Sequence, residues 1–201
     1  MVTIIDYDAG NMRSVEKAVR YLGEEVRITR KPEEILSAER LILPGVGSFG
    51  DAMEKLNGYG LTEVIHSYAE SGKPFLGICL GLQLFFEESE ESPGVKGLAL
   101  LPGRIRRIPE GEGRKVPHIG WNDLKLRQGS RLFKGVPEGS YVYFVHSYYL
   151  EASIPEQVAA RTEYGVKIDA AVEAGSLFAC QFHPEKSSET GLRILKNFIE
   201  M

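Results

Sequence analysis

Phe75-Leu76-Gly77-Ile78-Cys79-Leu80-Gly81-Leu82-Gln83 is the stretch on which the reading turns. Pro74 to Ile78 is a short apolar run of strand type, and Leu80 to Glu88 turns helical at once. The segment has the form glycine-x-nucleophile-x-glycine, with cysteine at its centre. Such a strand-to-helix turn is sharp and strained, and small neighbours let backbone approach backbone closely. The central side chain is thrust out at the carboxyl end of the strand, where open α/β sheets bind ligands. A cysteine there also sits at a helix N-terminus, whose dipole favours the reactive thiolate. The competing reading is a buried thiol acting as a small core hydrophobe, and a motif of this kind needs its context to decide.

The context is alternating strand and helix. Upstream lie Ile4-Ile5, a helix from about Asn11 to Leu22 stopped by Gly23, and strands at Val26 to Ile28 and Leu41 to Leu43. The Gly-rich loop Pro44 to Gly50 follows, then helices at Ala52 to Leu56 and Thr62 to Glu70. This alternation predicts right-handed βαβ crossovers: an α/β fold, with a mostly parallel central sheet and helices on both faces. From about Gly94 to Glu173 the texture changes to β-branched and aromatic runs, such as Arg104 to Ile108 and Tyr141 to Val145, between Gly and Pro. Added antiparallel strands are expected there. A strand at Leu177 to Phe182 and a helix from about Glu189 to Ile199 close the chain. With no repeats or linkers, residues 1–201 read as a single domain.

Bulk properties remove several classes of function. The chain has 201 residues, 43% hydrophobic and 26% charged, the balance of a globular protein able to bury a core without disulfides. A net charge of -4 leaves no basic footprint for nucleic acid or a membrane surface. No apolar run approaches membrane-spanning length, and strand-like Val2 to Asp6 offers no signal peptide, so a cytoplasmic location is expected. The two cysteines make no disulfide framework. Cys180, in a strand lacking the glycine elbow, shares a face with Phe178 and Phe182 and reads as core.

A base for Cys79 is available immediately after that last strand, at His183-Pro184-Glu185. Pro184 biases His183 toward extended backbone. If the extension continues, Glu185 projects to the same side and can hold the imidazole in one tautomer while the other nitrogen faces a thiol. The alternative is a strand-end histidine bonded to backbone. Zinc is disfavoured, because His66, His118 and His146 lie in separate segments. No metal or cofactor is expected.

Gly45-Val46-Gly47-Ser48-Phe49-Gly50 also matches G-x-G-x-x-G between a strand and a helix, which supports a rival function, non-catalytic dinucleotide binding. Against it, the loop follows the third strand, and the next strand carries no acidic residue for a ribose. The same backbone could instead present N–H groups to a developing oxyanion, and that use alone explains Cys79.

Together, Pro44-Gly45-Val46-Gly47, Gly77 to Gln83 and Phe182-His183-Pro184-Glu185-Lys186-Ser187 resemble the triad (class I) glutamine amidotransferases. Asp6-Tyr7-Asp8-Ala9-Gly10-Asn11, Pro117-His118-Ile119-Gly120-Trp121-Asn122 and Tyr143-Phe144-Val145-His146-Ser147-Tyr148 narrow the likeness, which runs almost end to end. They are similar to the glutaminase subunits of imidazole glycerol phosphate synthases, of histidine biosynthesis. Leu82 stands where many relatives carry methionine, a swap of similar volume.

The resemblance implies a flavodoxin-like fold and glutamine hydrolysis by Cys79, His183 and Glu185 through a cysteine thioester. It implies an oxyanion site at backbone N–H groups near Gly47 and Leu80, and glutamine contacts at Gln83, Glu91, Ser147 and Tyr148. Because Glu91 lies in an acidic run, a solvated face is its competing reading. The resemblance further implies a heterodimer with a (β/α)8-barrel cyclase subunit that consumes the ammonia. Asn11, Lys17, Trp121, Tyr143 and Lys186 would lie at that interface, against core packing for the two aromatics and helix capping for Asn11. The rivals are a glutaminase serving another biosynthetic enzyme, a stand-alone cysteine hydrolase or chaperone-like protein, and the dinucleotide-binding module.

Overall fold

The computed structural model describes residues 1–8, 10–111 and 115–201; Ala9 of the Asp6–Asn11 motif lies outside them. The first half runs β1 (Val2–Ile5), α1 (Met12–Tyr21), β2 (Val26–Thr29), α2 (Pro32–Leu36), β3 (Arg40–Leu43), α3 (Phe49–Gly58), α4 (Leu61–Glu70), β4 (Phe75–Ile78) and α5 (Leu80–Leu84). The second half supplies β5 (Glu88–Ser89), β6 (Gly103–Arg107), β7 (His118–Asp123), β8 (Lys125–Leu126), β9 (Tyr141–His146) and β10 (Tyr148–Ala152). It ends with β11 (Val158–Glu163), β12 (Lys167–Ala174), β13 (Leu177–Cys180) and α6 (Ser188–Ile199).

The expected α/β architecture is present. An eight-stranded sheet has the order β2-β1-β3-β4-β13-β12-β11-β8. Its pairings are parallel from β2 to β13 and antiparallel from β13 to β8. β10, β6 and β5 form a small second sheet, and β7 pairs with β9 as a two-stranded ribbon. In β1 and β4 every residue is buried, as a sheet covered on both faces requires. Alternation then sorts the side chains: Ile4 packs in one layer with Val15 and Val19 of α1 and Leu195 and Phe198 of α6. Ile5 packs in the other with Met53 and Leu56 of α3 and Ile65 and Tyr68 of α4. Cys180 is fully buried beside Phe178 and Phe182, as its parity predicts.

Two elements differ from expectation. α2 has a legible signal, Pro32 at its first turn with Glu33 and Glu34 behind it. α5 stops at Leu84 and does not reach Glu88. The physical reason is that the carbonyls beyond this point serve another segment: those of Phe85 and Phe86 accept from Leu101 N and Ala99 N at 3.1 and 3.2 Å. The Leu84 carbonyl, which a continuing helix would give to Glu88 N, accepts from Leu98 N at 2.8 Å.

Topology places the site. β3, β4 and β13 are parallel neighbours in the sheet, so the loop after β3, the turn after β4 and the segment after β13 emerge at one edge. Among the described residues, no helix is long and apolar enough to cross a membrane.

Candidate active site

Cys79 follows β4 with φ of 55°, a left-handed conformation that costs energy in any residue with a Cβ. Its N–H donates to the Cys180 carbonyl at 2.8 Å, which ties the turn to β13. The flanking glycines are required by close approach. A Cβ on Gly81 would lie 1.9 Å from the Leu43 carbonyl oxygen, and one on Gly77 would lie 2.6 Å from that of Gly81. The thiol is only 6% exposed, at the wall of a cavity of 290 Å³. Gly47, Leu80, Gln83, Glu91, Ser147 and Tyr148 line that cavity together with Cys79 and His183.

His183 is fully buried, and its Nδ1 lies 2.7 Å from Glu185 Oε1. The contact forms by another route than extension. Pro184–Lys186 is a 3-10 turn, fastened by Lys186 N and Ser187 Oγ donating to the His183 carbonyl at 3.0 and 2.6 Å. This tight turn, and not strand alternation, folds the carboxylate back onto the ring. The other ring nitrogen, Nε2, is buried without a hydrogen-bond partner. Burial works against charge on this imidazole, but the neighbouring Cys79 and Glu185 outweigh it and push the pKa up to about 9. Cys79 and His183 line the same cavity. Gln181 Nε2 donates to Cys79 Sγ at 3.7 Å, a contact with no signal in the sequence.

Asn11 departs from the capping alternative. It occupies the N-cap position of α1 with φ of 75° but makes no side-chain cap bond. Its amide instead donates to Glu185 Oε1 at 2.5 Å. Its 3.3 Å approach to His183 Nδ1 is proximity and no bond, since both nitrogens carry protons when that ring donates to the carboxylate.

The Gly-rich loop begins at Pro44, whose carbonyl accepts from the buried Tyr7 hydroxyl at 2.8 Å. Gly47 adopts φ of 104°, a conformation open to glycine. The N-terminus of α3, where a pyrophosphate would bind, is already satisfied. Phe49 N donates to Glu91 Oε2 at 2.7 Å, Gly50 N to Ser92 Oγ at 3.0 Å and Asp51 N to Ser48 Oγ at 3.3 Å. These bonds argue against the dinucleotide reading. They also move Glu91 from a solvated acidic run to the cavity wall.

Core packing fails as an account of Trp121, which is 52% exposed. It lies opposite half-buried Tyr143 on the β7–β9 ribbon, ring against ring edge at 6.1 Å. Ile119 and Tyr141 on the same ribbon are each 59% exposed. The ribbon is stitched to the segment after β13: His183 N donates to the Tyr143 carbonyl at 3.0 Å and Tyr143 N to Ser187 Oγ at 2.9 Å. Lys17 and Lys186 are exposed, and α1 contacts the Pro184–Lys186 turn. His118 and His146, separate in sequence, meet across the ribbon at 3.0 Å. Among the described residues no group of three or more potential ligands is placed to hold a metal.

The chain matches the family described as "Glutamine amidotransferase class-I" over residues 3–201. It is 53% identical to the "Imidazole glycerol phosphate synthase subunit HisH" of Methanothermobacter thermautotrophicus, across 100% of this chain and 98% of the relative. The protein of that description from Caldanaerobacter subterraneus is 51% identical over the same shares, 100% and 98%. Among solved structures, one described as a glutamine amidotransferase aligns with a TM-score of 0.78 at 23% identity, covering 100% of this chain and 98% of the other. PurLQS from Thermotoga maritima aligns with a TM-score of 0.74 at 22% identity, covering 99% and 97%. At such identities the structural likeness bears on the fold alone.

Proposed function

We infer that this chain, which belongs to the class I glutamine amidotransferase family, is the glutaminase subunit of an imidazole glycerol phosphate synthase. It hydrolyses glutamine to glutamate and passes the ammonia to a cyclase subunit. The observation that carries this reading is the meeting of Cys79, His183 and Glu185 at the shared edge of β4 and β13. Near-full-length likeness to the HisH subunits supports the choice of pathway over another glutaminase of the family.

The chemistry follows from the residues. The Cys79 thiolate attacks the side-chain amide carbon of glutamine, and the carbonyl oxygen becomes an oxyanion. Backbone N–H groups near Gly47 and at Leu80 receive that charge; such donors cost no reorganisation during the reaction. His183, protonated, gives its proton to the departing nitrogen, which leaves as ammonia, and a glutamyl thioester remains. The now neutral His183 takes a proton from water, which attacks the thioester, releases glutamate and restores the Cys79 thiolate beside the protonated ring. Glu185 holds Nδ1–H and stabilises the imidazolium. Gln83, Glu91, Ser147 and Tyr148, which line the cavity, hold the glutamine, and the Glu91 carboxylate pairs with its ammonium group.

The partner is a (β/α)8-barrel cyclase subunit, in a cytoplasmic heterodimer. It receives ammonia directly and converts its ribulosyl aminoimidazole-carboxamide substrate to imidazole glycerol phosphate and aminoimidazole-carboxamide ribotide. The ammonia-consuming chemistry belongs to that partner subunit. The exposed aromatic face of the ribbon, with Trp121 and Tyr143, is the expected docking surface, and Asn11, Lys17 and Lys186 flank it. The test is to mix the chain with a cyclase subunit and assay glutamine-dependent imidazole glycerol phosphate. Product that forms from ammonium salts but never from glutamine would overturn the assignment.

A further inference from the structure

The β7–β9 ribbon carries a buried polar device on its inner side that the mechanism above does not use. His118 and His146 are 3% and 6% exposed and are register partners. His118 is stacked between Phe144 and Tyr164, with centroids at 4.9 and 3.9 Å. His146 Nδ1 lies 2.8 Å from the Tyr148 carbonyl oxygen, and His118 Nδ1 lies 3.0 Å from His146 Nε2.

The direction of these bonds can be worked out. A carbonyl only accepts, so His146 Nδ1 carries a proton. A neutral ring then has a lone pair on Nε2, and His118 Nδ1 must donate to it. Burial favours neutral rings and pushes the two pKa values down to about 4 for His118 and about 3 for His146. The Tyr148 carbonyl accepts a second bond, from Gln83 Nε2 at 3.2 Å. Gln83 Nε2 also donates to Gln181 Oε1 at 3.1 Å, and Gln181 Nε2 donates to Cys79 Sγ at 3.7 Å. Buried and partly buried donors and acceptors thus run unbroken from the ribbon to Cys79. A network satisfied at every link is rigid, and one broken link strands its neighbours.

We propose that His118 and His146 are positioning residues for glutamine hydrolysis: a hydrogen-bonded imidazole pair that fixes the Tyr148 carbonyl and, through Gln83 and Gln181, the Cys79 sulfur. His146 itself lines the active-site cavity, but in this scheme neither ring takes part in the reaction. They set the cavity wall at Ser147 and Tyr148 and the place from which sulfur attacks. The inference rests on the glutaminase reading above.

The experiment compares the wild type with H146L, H146N and H118F, each with the cyclase subunit present. Asparagine places its amide nitrogen near the position of Nδ1 and keeps the donor to Tyr148, whereas leucine removes it. Phenylalanine at 118 keeps the stacking and removes the donor to His146. Glutamate release gives kcat and KM, and alkylation by iodoacetamide, read by mass spectrometry at Cys79, reports the sulfur without glutamine.

The expected losses in kcat/KM are about tenfold or more for H146L and about threefold to tenfold for H118F, on the scale of one buried hydrogen bond. H146N should return to within about threefold of wild type, and the alkylation rate should shift in H146L and H118F but not in H146N. A folded H118F with wild-type kinetics and alkylation overturns the proposal, and so does an H146N as impaired as H146L. H118F decides even where H146L does not fold. A wild type that releases no glutamate defeats the functional reading, while the alkylation comparison still decides the positioning role.

Discussion

Asn11 and Glu185, 174 positions apart, meet through an amide-to-carboxylate bond of 2.5 Å on the oxygen that also receives His183 Nδ1–H. The other carboxylate oxygen, Oε2, is buried and without a hydrogen-bond partner. Asn11 is therefore a second donor on the carboxylate that, in the proposed mechanism, orients His183. N11A should lower kcat about tenfold to a hundredfold, the equivalent of one hydrogen bond to a charged acceptor, with little change in KM. N11D should do more damage, because it sets a second carboxylate against Glu185. Steady-state glutaminase kinetics with the cyclase bound decide this, and an N11A enzyme with wild-type kcat would remove Asn11 from the orienting role.

Cys79 and Cys180 allow a clean contrast. C79A should reduce glutamine hydrolysis by about 10⁴-fold or more, as removal of a nucleophile does elsewhere. C180A should keep substantial activity, since that thiol faces the core. It should cost about 1 kcal/mol of stability through lost packing. Glutamate release and urea unfolding on the two variants check both statements. Appreciable turnover by C79A would assign the nucleophile elsewhere.

The elbow glycines make a stability prediction independent of activity. G81A drives a Cβ to 1.9 Å from the Leu43 carbonyl oxygen, where neither backbone can yield without moving the nucleophile. A loss of roughly 3 kcal/mol or more is expected. G58A is the control: it ends α3 with nothing within 4 Å of the new Cβ, so it should be neutral or gain up to about 1 kcal/mol. Equal unfolding midpoints for the two variants would show that the turn relaxes freely.

Buried histidines give the stability of the chain two opposed pH limbs. His118 and His146 stay neutral in the fold well below the ordinary histidine pKa, with values near about 4 and about 3. Between those values and about 6.5 the unfolded chain binds more protons, so stability falls as pH drops below about 6.5. His183 works the other way, with its pKa raised to about 9. Its contribution is complete below about 6.5 and is lost as pH rises toward 9. At full extent each effect is on the order of 3 to 5 kcal/mol. Urea unfolding from pH 5 to 9 should show H118F flattening the acid limb and H183Q the alkaline one. Unchanged limbs would mean that these rings titrate normally.

Trp121 and Tyr143 should matter to association and not to folding. W121A should leave the melting temperature of the lone chain within a degree or two, because the ring is half in solvent. It should weaken binding to the cyclase subunit by about 2 kcal/mol, close to thirtyfold, the scale of an aromatic anchor at an interface centre. Calorimetric titration of one subunit with the other measures it. Undiminished affinity in W121A would move the docking surface away from the ribbon.

Local sequence determined the parts whose causes are local. Apolar runs with helical spacing between them dictated a mostly parallel sheet with helices on both faces, because such strands must be covered on each side. The glycines around Cys79 dictated the elbow, since no larger residue fits a turn that tight. Cys79, His183 and Glu185 could be proposed as a set from their immediate neighbours, and the structure brings His183 and Glu185 into contact and Cys79 and His183 to one cavity.

Tertiary structure decided whatever depends on contacts between distant segments. The capping alternative for Asn11 rested on its neighbours forming a helix, yet its side chain turns to Glu185, 174 positions away. Pairing of His118 with His146 and of Gln181 with Cys79 required the ribbon and β13 to be packed in place first. Hydrogen bonds and burial are set by what lies within a few ångströms in space, and side chains far apart along the chain meet only after the sheet has ordered its strands.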